Sequence, residues 1–318
     1  MANENLLSRQ IGEYITYKRS LGYKIKVEAE ELGRFASYAA SIGHQGSLTN
    51  DLAVSWASQK ESYSRFYMAR RLEIVHTFAK YISAFDPCAQ IPQTGIYGKC
   101  HGRAVPYVYT DGEILLLMAE AEKLCSPDGI RARSVSTAIG LLRSTGLRVS
   151  ELTLLTNRNA RLDEGHLFID SSKFKKGRIV PLHPTVAEEL IDYRNFITAK
   201  LGQRDVDDFF FVNSRGREFN IRAFEYAFQL IRPVLHGDLA NGGARKCRLY
   251  DMRHTFACQT VRNWLESGGD VNKKLYLLSV YMGHAKPADT YWYLSATPEL
   301  LAISSGRYES VFGEGVSI

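Results

Sequence analysis

Between Asp86 and Tyr107 the apolar periodicity that organises the rest of the chain stops, and Pro87, Pro92, Gly95, Gly98, Gly102 and Pro106 punctuate the interval. This break divides 318 residues into two segments, each long enough to close a core of its own. Ahead of it, apolar side chains recur at helical spacing in three stripes: Leu7, Ile11, Tyr14 and Leu21; Leu32, Phe35, Ala39 and Ile42; and Met68, Leu72, Val75, Ala79 and Ile82. Thr49, followed by Asp51 and the run Leu52-Ala53-Val54-Ser55-Trp56, reads as the capped start of a further short helix. The spacing therefore predicts a helical bundle over residues 1–86, a linker over 87–107, and a second domain over 108–318.

The second domain opens with Thr110 as an N-cap and Glu113 three residues on, before Ile114, Leu117, Met118 and Ala121. A second helical pattern passes through Ala138 and Leu142. The period then changes: His166–Asp170 and Gly177–Leu182 are short β-like runs flanking the basic turn Ser171-Ser172-Lys173-Phe174-Lys175-Lys176. Helical patterning returns after Pro184, breaks at Phe209-Phe210-Phe211-Val212, and resumes toward the end, where Thr297-Pro298-Glu299 marks a strong helix start. The fold class expected is mainly α with a small antiparallel β-sheet, with a C-terminal helical tail from about 297.

Composition excludes several classes. An apolar fraction of 45% is too high for a chain disordered along its length. The longest apolar stretches, such as Ile114–Ala119, fall far short of the roughly 18 residues a membrane span needs. Met1-Ala2-Asn3-Glu4-Asn5 lacks a basic region leading into an apolar one, so no secretory signal is expected. Five scattered cysteines without a C-x-x-C pair predict neither a disulfide framework nor a zinc site, and a reducing, cytoplasmic setting is expected.

The net charge is +6, and residues 1–107 contribute 13 Lys and Arg against 9 Asp and Glu. On the polar faces of the predicted bundle Lys18, Arg19, Lys24, Lys26, Arg65, Arg70, Arg71 and Lys80 are interleaved with Tyr17, Tyr23, Tyr63 and Tyr67. Lys99, His101 and Arg103 follow in the linker. This distribution suits a polyanion such as nucleic acid, and it is also what an ordinary solvated helical surface presents.

A set of cationic and hydrogen-bonding residues in the second domain could act on a phosphodiester. Arg148 stands at a predicted helix start with Glu151 three residues on, close enough to hold its guanidinium. Lys173 occupies the hairpin turn, Tyr250 and Arg253 are about one helical turn apart, and His284 follows a helix-ending Gly283. Lys286-Pro287 then opens a segment that carries Tyr291, Trp292 and Tyr293. Taken singly, each is also an ordinary surface ion pair, solvated lysine or packed tyrosine. Together, arginine forks would bind non-bridging oxygens, a phenol beside such cations would attack as phenolate, and a lysine would protonate the departing oxygen.

Four runs carry a resemblance. Arg143-Ser144-Thr145-Gly146-Leu147-Arg148-Val149-Ser150-Glu151-Leu152 resembles the first arginine box of the tyrosine recombinase (phage integrase) family. Ser172–Leu182 resembles its lysine hairpin, and Tyr250–Ala257 its second arginine box. Met282-Gly283-His284, with Tyr293 nine residues after the histidine, resembles its final histidine and nucleophile. The resemblance implies a core-binding bundle, similar in architecture to residues 1–86, and an α+β catalytic domain.

What the resemblance implies residue by residue is specific. Tyr293 would form a 3′-phosphotyrosyl bond and release a 5′-hydroxyl; Arg148, Arg253 and His284 would bind the scissile phosphate; Lys173 would protonate the leaving oxygen, with Lys175 or Lys176 replacing it if the hairpin register slips. Glu151 would orient Arg148. Tyr291, seven residues from His284, fits the spacing less well. Tyr250 departs from the family pattern, which usually has histidine there; a phenol can donate to a phosphate oxygen but does not readily shuttle a proton near neutral pH.

The implied protein is a site-specific recombinase acting in integration, transposition or resolution of mobile DNA, without metal or other cofactor. Its expected partners are double-stranded DNA, further copies of itself in a tetramer on paired sites joined through the C-terminal helix, and accessory DNA-binding proteins, with no membrane and a nucleoid location. DNA contacts are expected from Lys18, Arg19, Arg65, Arg70, Arg71, Lys99, Arg103, Lys175 and Lys176. The alternatives are a type IB topoisomerase-like nicking and resealing enzyme and a DNA-binding factor that has lost catalysis.

Overall fold

The structure is a computed structural model that describes residues 6–100, 106–170, 177–235, 247–267, 271–284, 286 and 288–291. His101, Arg103, Lys173, Lys175, Lys176, Tyr293 and the C-terminal tail from 297 lie outside the described residues. The chain forms two compact units, Met1–Ala104 and Val105–Ile318.

The first unit contains α1 (Leu6–Ser20), α2 (Lys26–Ser41), α3 (Asn50–Ala57) and α4 (Arg65–Ile82). Leu7, Ile11 and Tyr14 of α1 are buried with Leu32, Phe35 and Ala39 of α2 and Leu72, Val75 and Phe78 of α4, as helical spacing requires. Leu21 and Ile42, which extend two of the stripes, are each 55% exposed because α1 ends at Ser20 and α2 at Ser41, so the periodic face no longer continues through them. Thr49 caps α3 by accepting from Leu52 N at 3.2 Å, and Ser64 caps α4 by accepting from Tyr67 N at 3.2 Å.

Residues 88–100 do not hang free. Gln90 N donates to Leu48 O at 2.8 Å, Asn50 N donates to Gln90 Oε1 at 2.8 Å, and Tyr97 Oη donates to Val54 O at 3.3 Å. Ala89 and Tyr97 also pack against the bundle core.

Arg71 corrects the sequence reading. Rather than joining the solvated cations, it is 2% exposed, with its guanidinium carbon 3.8 Å from the Trp56 ring centroid and 4.7 Å from that of Tyr63. Glu31, 6% exposed, lies 3.8 Å from its Nε and accepts from Tyr67 Oη at 3.0 Å and Arg34 Nη1 at 2.6 Å. A planar, weakly hydrated guanidinium can stack on aromatic faces and keep its charge where an ammonium would not. The sequence periodicity shows only that position 71 adjoins the apolar Leu72; it does not show the aromatic cage.

The second unit runs through α5 (Asp111–Ala121), α6 (Ile130–Thr145), α7 (Val149–Thr153), β1 (Ala160–Arg161), β2 (His166–Ile169), β3 (Arg178–Pro181), α8 (Pro184–Leu201), α9 (Ile221–Ile231), α10 (Asp251–Glu266), α11 (Val271–Met282) and α12 (Ala288–Tyr291). Thr110 and Glu113 form the expected capping box, Glu113 N donating to Thr110 Oγ1 and Thr110 N to Glu113 Oε2. α6 is buried on nearly every side, and its Ser134 is satisfied by Tyr193 Oη at 2.8 Å.

The sheet is antiparallel in the order β1-β2-β3, with His166 opposite Pro181 and Ile169 opposite Arg178. Leu167, Ile169 and Val180 face the core while Phe168 and Ile179 are exposed, the alternation a half-covered sheet dictates. β1, only two residues long, is too short to leave a periodic signature. Among the described residues no helix is long and apolar enough to cross a membrane.

Replacing Arg71 with Met is expected to destabilise the first unit by about 2 kcal/mol, because the stacking on Trp56 and Tyr63 is lost and buried Glu31 keeps Arg34 as its remaining cation. Urea denaturation checks this, and unchanged stability would contradict the buried-pair account.

Candidate active site

The site is organised by the C-terminal end of α11. Gly283 adopts φ 65°, His284 N donates to Ser279 O at 3.0 Å and Gly283 N to Val280 O at 3.0 Å, which is a Schellman closure. The next three carbonyls each receive a guanidinium from a different element. Arg178 of β3 donates Nε to Tyr281 O at 2.7 Å, Arg253 of α10 donates Nη2 to Met282 O at 2.5 Å, and Arg148 donates Nη2 to Gly283 O at 2.7 Å. A helix C-terminus carries orphan carbonyls and partial negative charge, so cations are favoured there.

Arg148 immediately precedes α7. Glu151 reaches back to it, accepting Arg148 N at 2.9 Å on Oε2 and Nη1 at 2.7 Å on Oε1, the pair that the sequence spacing predicts. Arg178 adds a fork, Nη1 to Oε1 at 2.9 Å and Nη2 to Oε2 at 2.8 Å, that sequence reasoning misses. Arg178 and Glu151 are 27 positions apart in sequence, and no local period connects them.

Arg253 is 2% exposed and also donates Nη1 to Gly146 O at 2.7 Å. Gly146 has φ 64°, and a Cβ there would collide with the Phe256 ring, so glycine is required by both backbone and space. Arg253 Nη2 is 3.1 Å from His284 Nε2. A guanidinium only donates, so Nε2 is the acceptor and the neutral ring carries its proton on Nδ1, 2.8 Å from Thr290 Oγ1. Thr290, 1% exposed on α12, is a second residue that sequence reasoning does not single out.

Tyr250 stands at the N-cap of α10 and is 49% exposed, its ring edge-on to His254 at 5.2 Å between centroids. Asp251 beside it is buried and holds Arg248 through N and Nη2, both at 2.9 Å. Tyr109 N donates to Thr255 Oγ1 at 3.0 Å, tying α10 to the chain ahead of α5.

The electrostatics follow from these contacts. Burial alone would push the Glu151 carboxyl up, but hydrogen bonds and charge from Arg178, the Arg148 N–H and the Arg148 charge outweigh it and hold the group at about 2. Burial pushes the Tyr281 phenol up to about 12 despite Arg178 and Arg253 nearby. Of the cations expected to meet DNA, Arg19, Arg65, Arg70 and Lys99 are exposed, and Lys18 lies 4.3 Å from the Tyr23 ring centroid. Among the described residues no group of three or more His, Cys, Asp or Glu could hold a metal ion.

Three arginines thus converge on the helix end that presents a histidine, in a mostly helical unit with a small antiparallel sheet. Residues 108–299 match the phage integrase family. A Sinorhizobium fredii protein named as a putative integrase/recombinase is 33% identical over 306 residues, covering 94% of this chain and 96% of its own. Tyrosine recombinase XerC of Chlamydia trachomatis is 29% identical over 240 residues, 75% of this chain and 69% of its own. Among solved structures, the Tn1549 transposon integrase in complex with a circular intermediate DNA superposes with a TM-score of 0.67 at 15% identity, covering 94% of this chain and 99% of that one. The chain belongs to the phage integrase family and is a tyrosine recombinase.

The Glu151 value gives a pH dependence. Its folded value lies below the unfolded one, so its contribution is present above about 4.5 and is lost as pH falls toward about 2. Between those limits the wild type is expected to lose stability more steeply than Glu151→Gln in urea titrations; equal slopes would contradict the ion-pair geometry.

Proposed function

We propose that this chain is a site-specific DNA recombinase that cuts and rejoins strands through a 3′-phosphotyrosyl intermediate, in the integration, transposition or resolution of mobile DNA. The observation that carries the reading is the convergence of Arg148 and Arg253 on the carbonyls that directly precede His284. Arg148, 34% exposed at its side chain, keeps part of its guanidinium open to a phosphate.

Tyr293 attacks phosphorus, the new P–O bond to the phenol forms, and the bond to the 5′ oxygen breaks. Lys173 gives its proton to that oxygen, releasing a 5′-hydroxyl. Arg148 and Arg253 bind the non-bridging oxygens and favour the phenolate and the five-coordinate transition state, the phenol proton passing to solvent; His284 joins them once Nε2 is protonated and turns from Arg253 to a phosphate oxygen. Tyr250 donates to the phosphate, and Glu151 orients Arg148. Attack by the 5′-hydroxyl of a second strand reverses the step, and the retained phosphodiester energy removes any need for ATP.

Double-stranded DNA is the substrate, engaged also by Lys18, Arg19, Arg65, Arg70, Lys99, Arg103, Lys175 and Lys176. A tetramer on paired sites, joined by the tail from about 297, accessory DNA-binding proteins and a cytoplasmic, nucleoid-associated location complete the proposal. The solved Tn1549 integrase complex with DNA supports the substrate class.

The test incubates the protein in EDTA with a pool of nicked duplexes randomised around the nick and resolves adducts on denaturing gels. The expected result is a covalent adduct that disappears in Tyr293→Phe and, with two copies of a selected site, recombinant joints. An adduct that persists in Tyr293→Phe, or none in the wild type, would overturn the catalytic assignment; adducts without joints would favour simple nicking and resealing.

A further inference from the structure

We propose that Arg178 is a positioning residue of the strand-cleavage reaction, holding Glu151 and the end of α11 in one register so that Arg148 and His284 meet the same phosphate. The inference rests on the recombinase reading above and adds to it a residue outside the four boxes' reactive set.

All three nitrogens of the Arg178 guanidinium are used. Nη1 and Nη2 engage the two Glu151 oxygens, and Nε engages Tyr281 O. With the Arg148 N–H and Nη1 on the same two oxygens, Glu151 accepts four hydrogen bonds, the full capacity of a carboxylate. Its carboxylate is thus held by two guanidiniums, one from β3 and one from the N-cap of α7.

Two consequences follow. One is geometric: Arg178 joins β3 to the start of α7 and to the helix end that presents His284. A Cβ on Gly283 would come within 2.9 Å of Arg178 Nη1, so the guanidinium packs directly on the turn that presents the histidine. The other is electrostatic. Arg148, Arg178 and Glu151 together carry one net positive charge, whereas Arg148 and Glu151 alone would carry none. Arg178 therefore keeps the cluster cationic toward an anionic phosphate while its own side chain is only 12% exposed.

Lysine at this position retains the charge and loses the fork, which separates the two consequences. The experiment compares full-length wild type, Arg178→Lys and Arg178→Met on a nicked duplex selected as above, measuring adduct formation, duplex affinity and melting temperature. Arg178→Lys is expected to bind the duplex as the wild type does and to cleave about 100-fold more slowly, since displacement of a positioned group by about 1 Å costs that order. Arg178→Met is expected to lose duplex affinity as well.

Wild-type cleavage by Arg178→Lys would overturn the inference, as would losses of cleavage and affinity in equal proportion in that same variant, which mark a folding defect only. If Arg178→Met does not fold, Arg178→Lys decides alone. Absence of an adduct in the wild type would instead count against the recombinase reading itself, so the two failures are distinguishable.

Discussion

Three arginines on three successive carbonyls at the end of α11 are the contact on which the catalytic unit depends. The helix end supplies partial negative charge without a carboxylate, so it can gather cations without neutralising them. Glu151 adds one full negative charge, and it is shared between Arg148 and Arg178. The result is a cationic cluster held largely by backbone, which suits a site whose substrate is an anion that must arrive and leave.

The other elements serve this arrangement. The left-handed Gly146 ends α6 so that its carbonyl faces Arg253, and the left-handed Gly283 ends α11 so that His284 turns back toward the same guanidinium. Asp251, Arg248, Thr255 and Tyr109 fix the start of α10 from the other side. In the first unit a different solution appears: Arg71 is buried on aromatic rings and serves stability, while its neighbours Arg65 and Arg70 remain exposed.

The local parts of this arrangement were legible in the sequence. Caps at Thr49 and Thr110, the helix end at Gly283 and the Arg148–Glu151 pair each involve residues only a few positions apart, and short spacing is what periodicity and capping rules read. Arg178, Thr290 and the burial of Arg71 were not legible, because each depends on contacts made through the folded chain rather than along one helical turn, or on a cage of rings assembled from several elements. The same limit applied to β1, whose pairing with β2 defines a strand that its two residues do not announce.

The most direct measurement is a crystal structure of Tyr293→Phe bound to a nicked duplex that the wild type cleaves. The account predicts the scissile phosphate within about 3 Å of Arg148, Arg253 and His284, with the carbonyl contacts at 281–283 retained. A phosphate bound elsewhere, or a helix end stripped of its arginines in the complex, would contradict it.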